Sequence, residues 1–314
     1  MKEEVVLYFK SLQDSICKGL EQLGGSAKFR EDLWVREGGG GGRTRVLENG
    51  SVIEKGGVNF SEVLGSAPDF MKSEILNPGA ENFFATGVSL VIHPKSPMVP
   101  IIHMNVRYLC LTPTLSEGKG AEWFGGGIDL TPIYVDEEDA KYFHQTLKAT
   151  CDRFHPSFYP NFKKWADDYF FIKHRNEPRG VGGIFFDHLA SPPSSLLKER
   201  GVIQDVGWGQ LFEFVQAIGN IFLPVYTHLV RKNKDKSFGE KEKQWQLLRR
   251  GRYAEFNLVY DRGTKFGLET NGRIESILMS LPPQANWAYT FIPEKNSAEE
   301  TTLTMLKKGI EWVK

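Results

Sequence analysis

The sequence has few cysteines and no excess of charge of either sign. Its 314 residues include 3 cysteines, which are scattered and form no Cys-x-x-Cys pair: Cys17, Cys110 and Cys151. Such a set predicts free thiols in a reducing compartment and argues against a disulfide framework. The 39 basic and 39 acidic residues cancel, so nothing favours nucleic acid as a partner. An anionic ligand would need a local basic cluster.

Long apolar runs and a targeting peptide are also missing. No segment approaches the roughly 18 apolar residues that a membrane-spanning helix needs. The chain starts Met-Lys-Glu-Glu and leads into an amphipathic helix, unlike a secretory signal or an acid-poor transit peptide. We therefore expect a cytoplasmic protein with no transmembrane segment.

Nucleotide-binding signatures are absent too. The five glycines at 38–42 resemble part of a phosphate-binding loop, but Arg43, Thr44 and Arg45 follow in place of Gly-Lys-Ser/Thr. The run predicts a flexible surface loop. The functional alternative is a mobile flap that brings Arg43 and Arg45 close to an anionic ligand.

The hydrophobic periodicity predicts a mixture of helices and strands. Strands are expected at 87–93, 100–111, 183–187 and 252–261. Helices are expected at 4–23, 136–153, 160–174, 207–231 and 238–250, with Pro224 kinking or dividing the fourth of them. Because the elements alternate irregularly and no clear linker or repeat is present, we predict one α+β domain over residues 1–314 rather than a doubly wound parallel sheet.

The strand at 100–111 is the most informative segment. Successive side chains of a strand point to opposite faces, so His103, Asn105 and Arg107 share one face and apolar residues occupy the other. Ser89 and His93 share a face of the preceding strand in the same way. Antiparallel sheets often have one solvated face. We favour the interpretation that this polar face is instead the floor of an anion-binding cleft.

Acidic and basic side chains add to this face. The predicted strand at 252–261 contributes Glu255, Asn257 and Asp261. Asp129 follows three glycines at 125–127, either as a turn acid that caps the chain or as an acceptor for ligand N–H groups. The late arginines suit bidentate capture of carboxylates or are ion-paired on the surface: Arg249, Arg250, Arg252, Arg262 and Arg273.

The seven histidines show no close pair of metal ligands such as His-Glu-x-x-His. His93 and His103 could meet across neighbouring strands. His144 and His174 fall on or at the end of predicted helices, where a lone histidine usually has a structural role. Spacing alone does not establish a metal site.

Several motifs, in order along the chain, resemble the oxygen-dependent coproporphyrinogen III oxidases. The resemblance covers about residues 5–314. The motifs are Phe29-Arg-Glu-Asp32, Gly57-Val-Asn-Phe60, Ser89-Leu-Val-Ile-His-Pro94, His103-Met-Asn-Val-Arg-Tyr108, Trp123-Phe-Gly-Gly-Gly-Ile-Asp-Leu-Thr-Pro132, Asp167-Asp-Tyr-Phe170, Gly182-Gly-Ile-Phe-Phe-Asp187, Leu248-Arg-Arg-Gly-Arg-Tyr253, Glu255-Phe-Asn257, Asp261-Arg-Gly-Thr264 and Arg273-Ile-Glu-Ser-Ile-Leu-Met-Ser-Leu-Pro282.

The resemblance implies a large antiparallel sheet of about seven strands, with helices on both faces, in a homodimer. Residues 253–288 match the stretch associated with dimer formation. The implied substrates are coproporphyrinogen III and O2, and the implied products are protoporphyrinogen IX, CO2 and H2O2 in haem biosynthesis. No organic cofactor is implied.

The resemblance also implies roles for individual residues. His103 matches a proton donor, and Asp129 and Asp261 match acids that hold pyrrole N–H groups or begin their deprotonation. Some members are described with a divalent metal on histidines that match His93, His103, His144 and His174, whereas others work without metal. The positions that match substrate contacts are Ser89, Asn105, Val106, Arg107, Arg262, Asn271, Gly272 and Arg273.

Two other functions use the same cleft. A non-catalytic tetrapyrrole carrier would bind the anionic ligand through arginine and consume no oxygen. A metal-dependent oxygenase would use the four histidines.

Overall fold

The computed structural model describes residues 2–23, 25–67, 80–113, 121–190, 206–269 and 272–313. Among these residues, no helix has both the length and the apolar character that crossing a bilayer requires. The described helices are α1 (Lys2–Leu23), α2 (Glu137–Asp152), α3 (Phe158–Tyr169), α4 (Trp208–Asn233), α5 (Glu240–Val259), α6 (Arg262–Glu269), α7 (Ile274–Leu278) and α8 (Ala298–Met305).

The described strands form one large sheet and one short hairpin. The sheet has seven strands in the order β1-β2-β3-β4-β5-β6-β9, and every neighbouring pair is antiparallel. This arrangement confirms the predicted α+β class. The strands are β1 (Arg30–Val35), β2 (Gly40–Glu48), β3 (Ile53–Ser66), β4 (Ala80–Pro94), β5 (Ile101–Pro113), β6 (Glu122–Thr131), β7 (Phe171–Ile172), β8 (Glu177–Pro178) and β9 (Gly183–Leu189).

One face of the sheet is apolar and carries the main core. Val88, Leu90 and Ile92 of β4 lie beside Ile102 and Met104 of β5, and all five are fully buried. Helices α1 and α4 pack on this face. Burying such a side chain contributes about 1.5–3 kcal/mol, so this layer fixes which face of each strand points inward.

Helices also cover part of the opposite face. In α5, the ring of Tyr253 meets His93 of β4 edge-on, with centroids 5.2 Å apart. In α7, the hydroxyl groups of Ser276 and of Thr44 in β2 are 2.6 Å apart. The sheet therefore has helices on both faces, as expected.

The predicted strand at 252–261 is wrong, because α5 continues through this segment to Val259. Its buried residues include Trp245, Arg249, Tyr253 and Phe256, at spacings of four, four and three. That spacing places them on one side of a helix. Alternation over a few residues fits both the strand period of two and the helix period of 3.6. The longer pattern of buried residues decides between them.

The glycine run at 38–42 is also different from the prediction. A turn at 36–39 is followed by β2, which begins at Gly40. Arg43 and Arg45 of this strand form ion pairs with Asp14 of α1 at 2.8 and 2.7 Å. The flap hypothesis is therefore wrong, since both arginines lie on the apolar side of the sheet.

Helix α4 continues past Pro224 and is not divided.

The carboxylate of Glu255 ties α5 to neighbouring segments. It accepts two hydrogen bonds from Arg175, at 2.8 and 2.7 Å, and one each from His174, Arg252 and Trp287 at 2.7, 3.1 and 2.9 Å. Burial alone would raise the pKa of Glu255, but these donors outweigh it and lower the pKa to about 2.

We predict that Glu255→Gln lowers the free energy of unfolding by about 2 kcal/mol at pH 7. Because the pKa is lowered in the folded state, this contribution is present above the ordinary value of about 4.3 and is lost as the pH falls towards about 2. Urea unfolding of both proteins between pH 7 and pH 3 measures it. Glu137→Gln, in an exposed pair with Lys141, is the control and should change little. A difference that does not shrink at low pH would contradict the prediction.

Candidate active site

A row of small and polar side chains crosses the face opposite the main core. Residues directly opposite each other in antiparallel strands project to the same side, so the register of the sheet defines the row. One residue of the row is charged, and it lies at the β1 edge. From the β1 edge to the β9 edge, the row consists of Asp32, Thr44, Asn59, Ser89, Asn105, Gly127 and Phe185.

The two flanking rows carry further charged groups of this polar face. Arg107 lies between Gly87 and Gly125 in one row, and His103 is paired with Asp129 in the other. His103, Asn105 and Arg107 therefore share a face, as the alternation predicted. Val106 has its side chain fully buried in the opposite, apolar face. Only its main chain could contact a ligand on the polar face.

His103, Asp129 and Arg179 form a connected group. Nδ1 of His103 lies 2.8 Å from Oδ1 of Asp129. Arg179 donates to the same oxygen from Nη2 at 2.7 Å and to Oδ2 from Nε at 3.2 Å. Asp129 is 1% exposed, whereas the side chain of His103 is 18% exposed. The imidazole, not the carboxylate, is thus the part of the group that a ligand can reach.

The charge on Asp129 is stabilised by these partners. Burial would raise the pKa of Asp129, but the guanidinium group of Arg179 and the bond to His103 outweigh burial, so the pKa is lowered. Asp129 therefore remains a carboxylate, and a carboxylate only accepts hydrogen bonds.

Arg107 is held by Asp187 of β9. Its Nη2 lies 2.7 Å from Oδ2 of Asp187, and its Nη1 donates to Oδ1 of Asn105 at 3.1 Å. The side chain of Arg107 is 34% exposed. Gly125 makes this pair feasible, since a Cβ there would lie 2.6 Å from Oδ1 of Asp187 and 2.8 Å from Nε of Arg107.

Asp261 lies beside the β9 end of the polar face, immediately before α6. Its Oδ1 accepts from the hydroxyl of Tyr169 at 2.9 Å, and its Oδ2 accepts from the main chain and side chain of Thr264 at 2.7 and 2.9 Å. The Tyr169 ring stacks on Phe185 with centroids 4.2 Å apart. Asp261 is half-buried and more accessible than Asp129.

The other predicted ligand contacts lie at both ends of the face. Arg262 is exposed, and its guanidinium group lies 5.8 Å from the centre of the Tyr169 ring. Arg273 forms an ion pair with Asp32 at the β1 end. The main-chain N–H of Gly272 donates to the carbonyl oxygen of Gly267 at 2.7 Å. Asn271 lies outside the described residues.

Comparison with known proteins decides the family. A family model described as coproporphyrinogen III oxidase matches residues 4–312. The chain belongs to the coproporphyrinogen III oxidase family. It is 48% identical over 314 residues to the oxygen-dependent coproporphyrinogen-III oxidase of Prochlorococcus marinus strain NATL2A, covering 96% of this chain and 88% of that protein. It is 49% identical over 313 residues to coproporphyrinogen-III oxidase 1, chloroplastic, of Arabidopsis thaliana, covering 97% and 77%.

The four histidines considered as metal ligands do not meet in this chain. His93 is buried against the carbonyl oxygen of Ser280 at 2.9 Å, and burial lowers its pKa to about 3. His144 lies between the hydroxyl of Tyr159 and the carbonyl oxygen of Val181, both at 3.0 Å.

His174 is held at a third place, between Tyr260 and Glu255 at 2.8 and 2.7 Å. Within the described ranges, no group of three or more His, Cys, Asp or Glu side chains is arranged to hold a metal. The set His93, His103, His144 and His174 therefore does not fit a shared metal ion, because tertiary packing gives each ring separate protein partners.

Most of the late arginines are ion-paired rather than free. Arg249 is bonded to Glu177 at 2.8 Å, and Arg250 to Glu54 at 2.5 Å. Arg252 is bonded to Glu255 at 3.1 Å. For these three, the ion-paired interpretation is the one that the structure supports.

Three residues of the candidate site were missed in the sequence. Asp187 could have been found, because it shares a strand face with Phe185 in the predicted strand at 183–187. Tyr169 lies in a predicted helix, but its partner Asp261 is 92 residues away. Arg179 lies in a connecting segment that has no periodic pattern.

Proposed function

We propose that this chain catalyses the oxidative decarboxylation of two propionate side chains of coproporphyrinogen III. For each propionate, R–CH2–CH2–COOH and O2 give R–CH=CH2, CO2 and H2O2, and two rounds give protoporphyrinogen IX. The observation that carries the proposal is the polar face, where arginine, histidine and aspartate surround a floor rich in glycine. The names of the two relatives agree with it.

The floor suits a broad, flat ligand with carboxylates at its edge. Gly87, Gly125 and Gly127 lie on the polar face and place no side chain there. Arg107 is on β5, and Arg273 is bonded to β1 at the other end. Strands are about 4.8 Å apart, so four strand spacings put β1 and β5 about 19 Å apart. Guanidinium groups bind carboxylates in a bidentate manner.

The structure favours different roles for the two acids. The carboxylate of Asp129 is 1% exposed and is bonded to the buried Arg179, so we assign it to holding His103. Asp261 is half-buried beside the floor, so we assign it to accepting a pyrrole N–H and assisting its deprotonation. A desolvated carboxylate is a competent base for this step.

The remaining steps follow from the substrate's own chemistry. A reduced tetrapyrrole is electron-rich, and removal of an N–H proton makes the ring more reactive towards O2. Oxygen adds to the ring, and loss of a side-chain hydrogen together with CO2 expels peroxide. Nε2 of His103 is placed to exchange a proton at the polar face, while Arg107 holds a propionate. We propose no organic cofactor, and we route no step through a metal because the four histidines are separated.

We predict that the purified protein forms protoporphyrinogen IX from coproporphyrinogen III under air and not under argon. Oxidation of the products followed by chromatography measures it. Asp261→Asn should lower turnover at least 100-fold, whereas Asp235→Asn, at an 80% exposed site, should not. Binding without a vinyl product in air would mean a carrier. Activity that is lost on chelation and restored by a metal would mean a metal-dependent oxygenase.

We predict that Gly125→Ala raises the KM for coproporphyrinogen III about tenfold with a smaller effect on kcat. The added Cβ would displace the flexible ends of Arg107 and Asp187, and a charged hydrogen bond contributes about 1.5–3 kcal/mol. Steady-state kinetics measures the change. Gly209→Ala is the matched control, since its Cβ meets nothing within 4 Å. An unchanged KM in Gly125→Ala would contradict the assignment of Arg107.

We propose that the active form is a homodimer. Several large apolar side chains are exposed in the late part of the chain, mostly within the expected stretch 253–288: Leu258, Val259, Leu268, Ile274, Trp287, Tyr289 and Ile292.

We predict that Ile274→Asp shifts sedimentation towards the monomer, whereas Leu7→Asp, also at an exposed site, does not. A wild-type monomer at micromolar concentration would contradict the proposal.

We also propose a cytoplasmic location. Cys17, Cys110 and Cys151 are buried and free, which agrees with a reducing compartment. Fractionation of the source cells tests the location, and recovery of the protein in an organelle would contradict it.

A further inference from the structure

Arg179 is a buried cation on a segment that carries no predicted site residue. It is 2% exposed. Two of its nitrogens bind both oxygens of Asp129, and Nη1 donates to Oδ1 of Asn257 at 2.8 Å. The planar guanidinium group thus fixes the plane of the Asp129 carboxylate, which a single point charge does not do.

The surroundings of Arg179 fix its own position. The guanidinium carbon lies 4.5 Å from the ring centre of Phe170, 4.7 Å from Tyr253 and 4.6 Å from Phe256. Aromatic faces attract a cation at these distances. Arg179 is therefore held from three sides while it holds Asp129.

The orientation of Asp129 decides which nitrogen of His103 carries a proton. A carboxylate accepts hydrogen bonds, so Nδ1 of His103 must be the donor in the bond to Asp129. The other nitrogen, Nε2, is then left for the polar face. The ring of His103 is further held by an edge contact with Phe170, with centroids 6.0 Å apart.

Without Arg179, the same carboxyl group would be buried with no compensating charge. Burial favours the protonated form of an acid. A protonated Asp129 could donate to Nδ1, and the proton of the imidazole would then move to Nε2. The nitrogen that faces the ligand would change from an acceptor to a donor.

We propose that Arg179 is a positioning residue. It keeps Asp129 ionised and oriented, so that His103 carries its proton on Nδ1 and presents Nε2 to the polar face. The kinetic consequence rests on the proposed function, whereas the tautomer of His103 does not.

The test measures the ring nitrogens of His103 by NMR in protein labelled with 15N-histidine, without substrate, with the signal assigned through His103→Gln. We expect the wild-type protein to carry the proton on Nδ1 and Arg179→Met to lose this preference. We also expect kcat to fall about 100-fold while the KM changes less than threefold. Arg179→Lys, which keeps the charge, should recover at least part of kcat and the Nδ1–H tautomer.

Arg249→Met is the matched control. Arg249 is 3% exposed, bonded to Glu177 and in contact with neither His103 nor Asp129. The Arg249→Met variant should be less stable than the wild-type protein but should keep the His103 tautomer and the kcat per folded molecule. If Arg179→Met does not fold, the double variant R179M/D129N removes both charges and should also lose the Nδ1–H preference.

Two results would overturn the proposal: an unchanged tautomer in the folded Arg179 variants, or the same tautomer change and loss of kcat in Arg249→Met. A wild-type protein that shows the tautomer dependence but forms no vinyl product would instead overturn the proposed function and leave the positioning role standing.

Discussion

The two-sidedness of the antiparallel sheet is the constraint on which the rest of the structure depends. Burial of Val88, Leu90 and Met104 against α1 and α4 fixes the register of the central strands. A slip of one residue would exchange the two faces. The same burial therefore aligns His103 with Asp129 and brings Arg107 between glycines. The core and the site are consequences of one hydrophobic pattern.

Charges near the polar face are tolerated because they are paired. Arg179 with Asp129 and Arg107 with Asp187 each place a guanidinium group against a carboxylate at 2.7 Å. The two pairs differ in exposure, and this difference is the basis of the roles that we propose for them. The first is 1–2% exposed and can only support the imidazole. The second leaves Arg107 34% exposed, able to exchange its partner for a ligand carboxylate.

Sequence reasoning recovered what local periodicity controls. The face shared by His103, Asn105 and Arg107 was predictable because period two persists through a strand. Strands β1 to β3 were missed, since their glycines and charged residues conceal the alternation. The helix at Glu255 was mistaken for a strand because a few alternating residues fit a helix as well as a strand. The bond from Arg179 to Asp129 joins residues 50 positions apart, and no short pattern encodes such a contact.

The central claim is that the glycine-lined polar face binds the tetrapyrrole. The most direct measurement is a crystal structure with coproporphyrin III, the oxidised form of the proposed substrate. The account predicts a macrocycle over Gly125 and Gly127, with a carboxylate within hydrogen-bond distance of Arg107. A macrocycle bound on the side of α1 and α4, or anywhere away from this face, would contradict it.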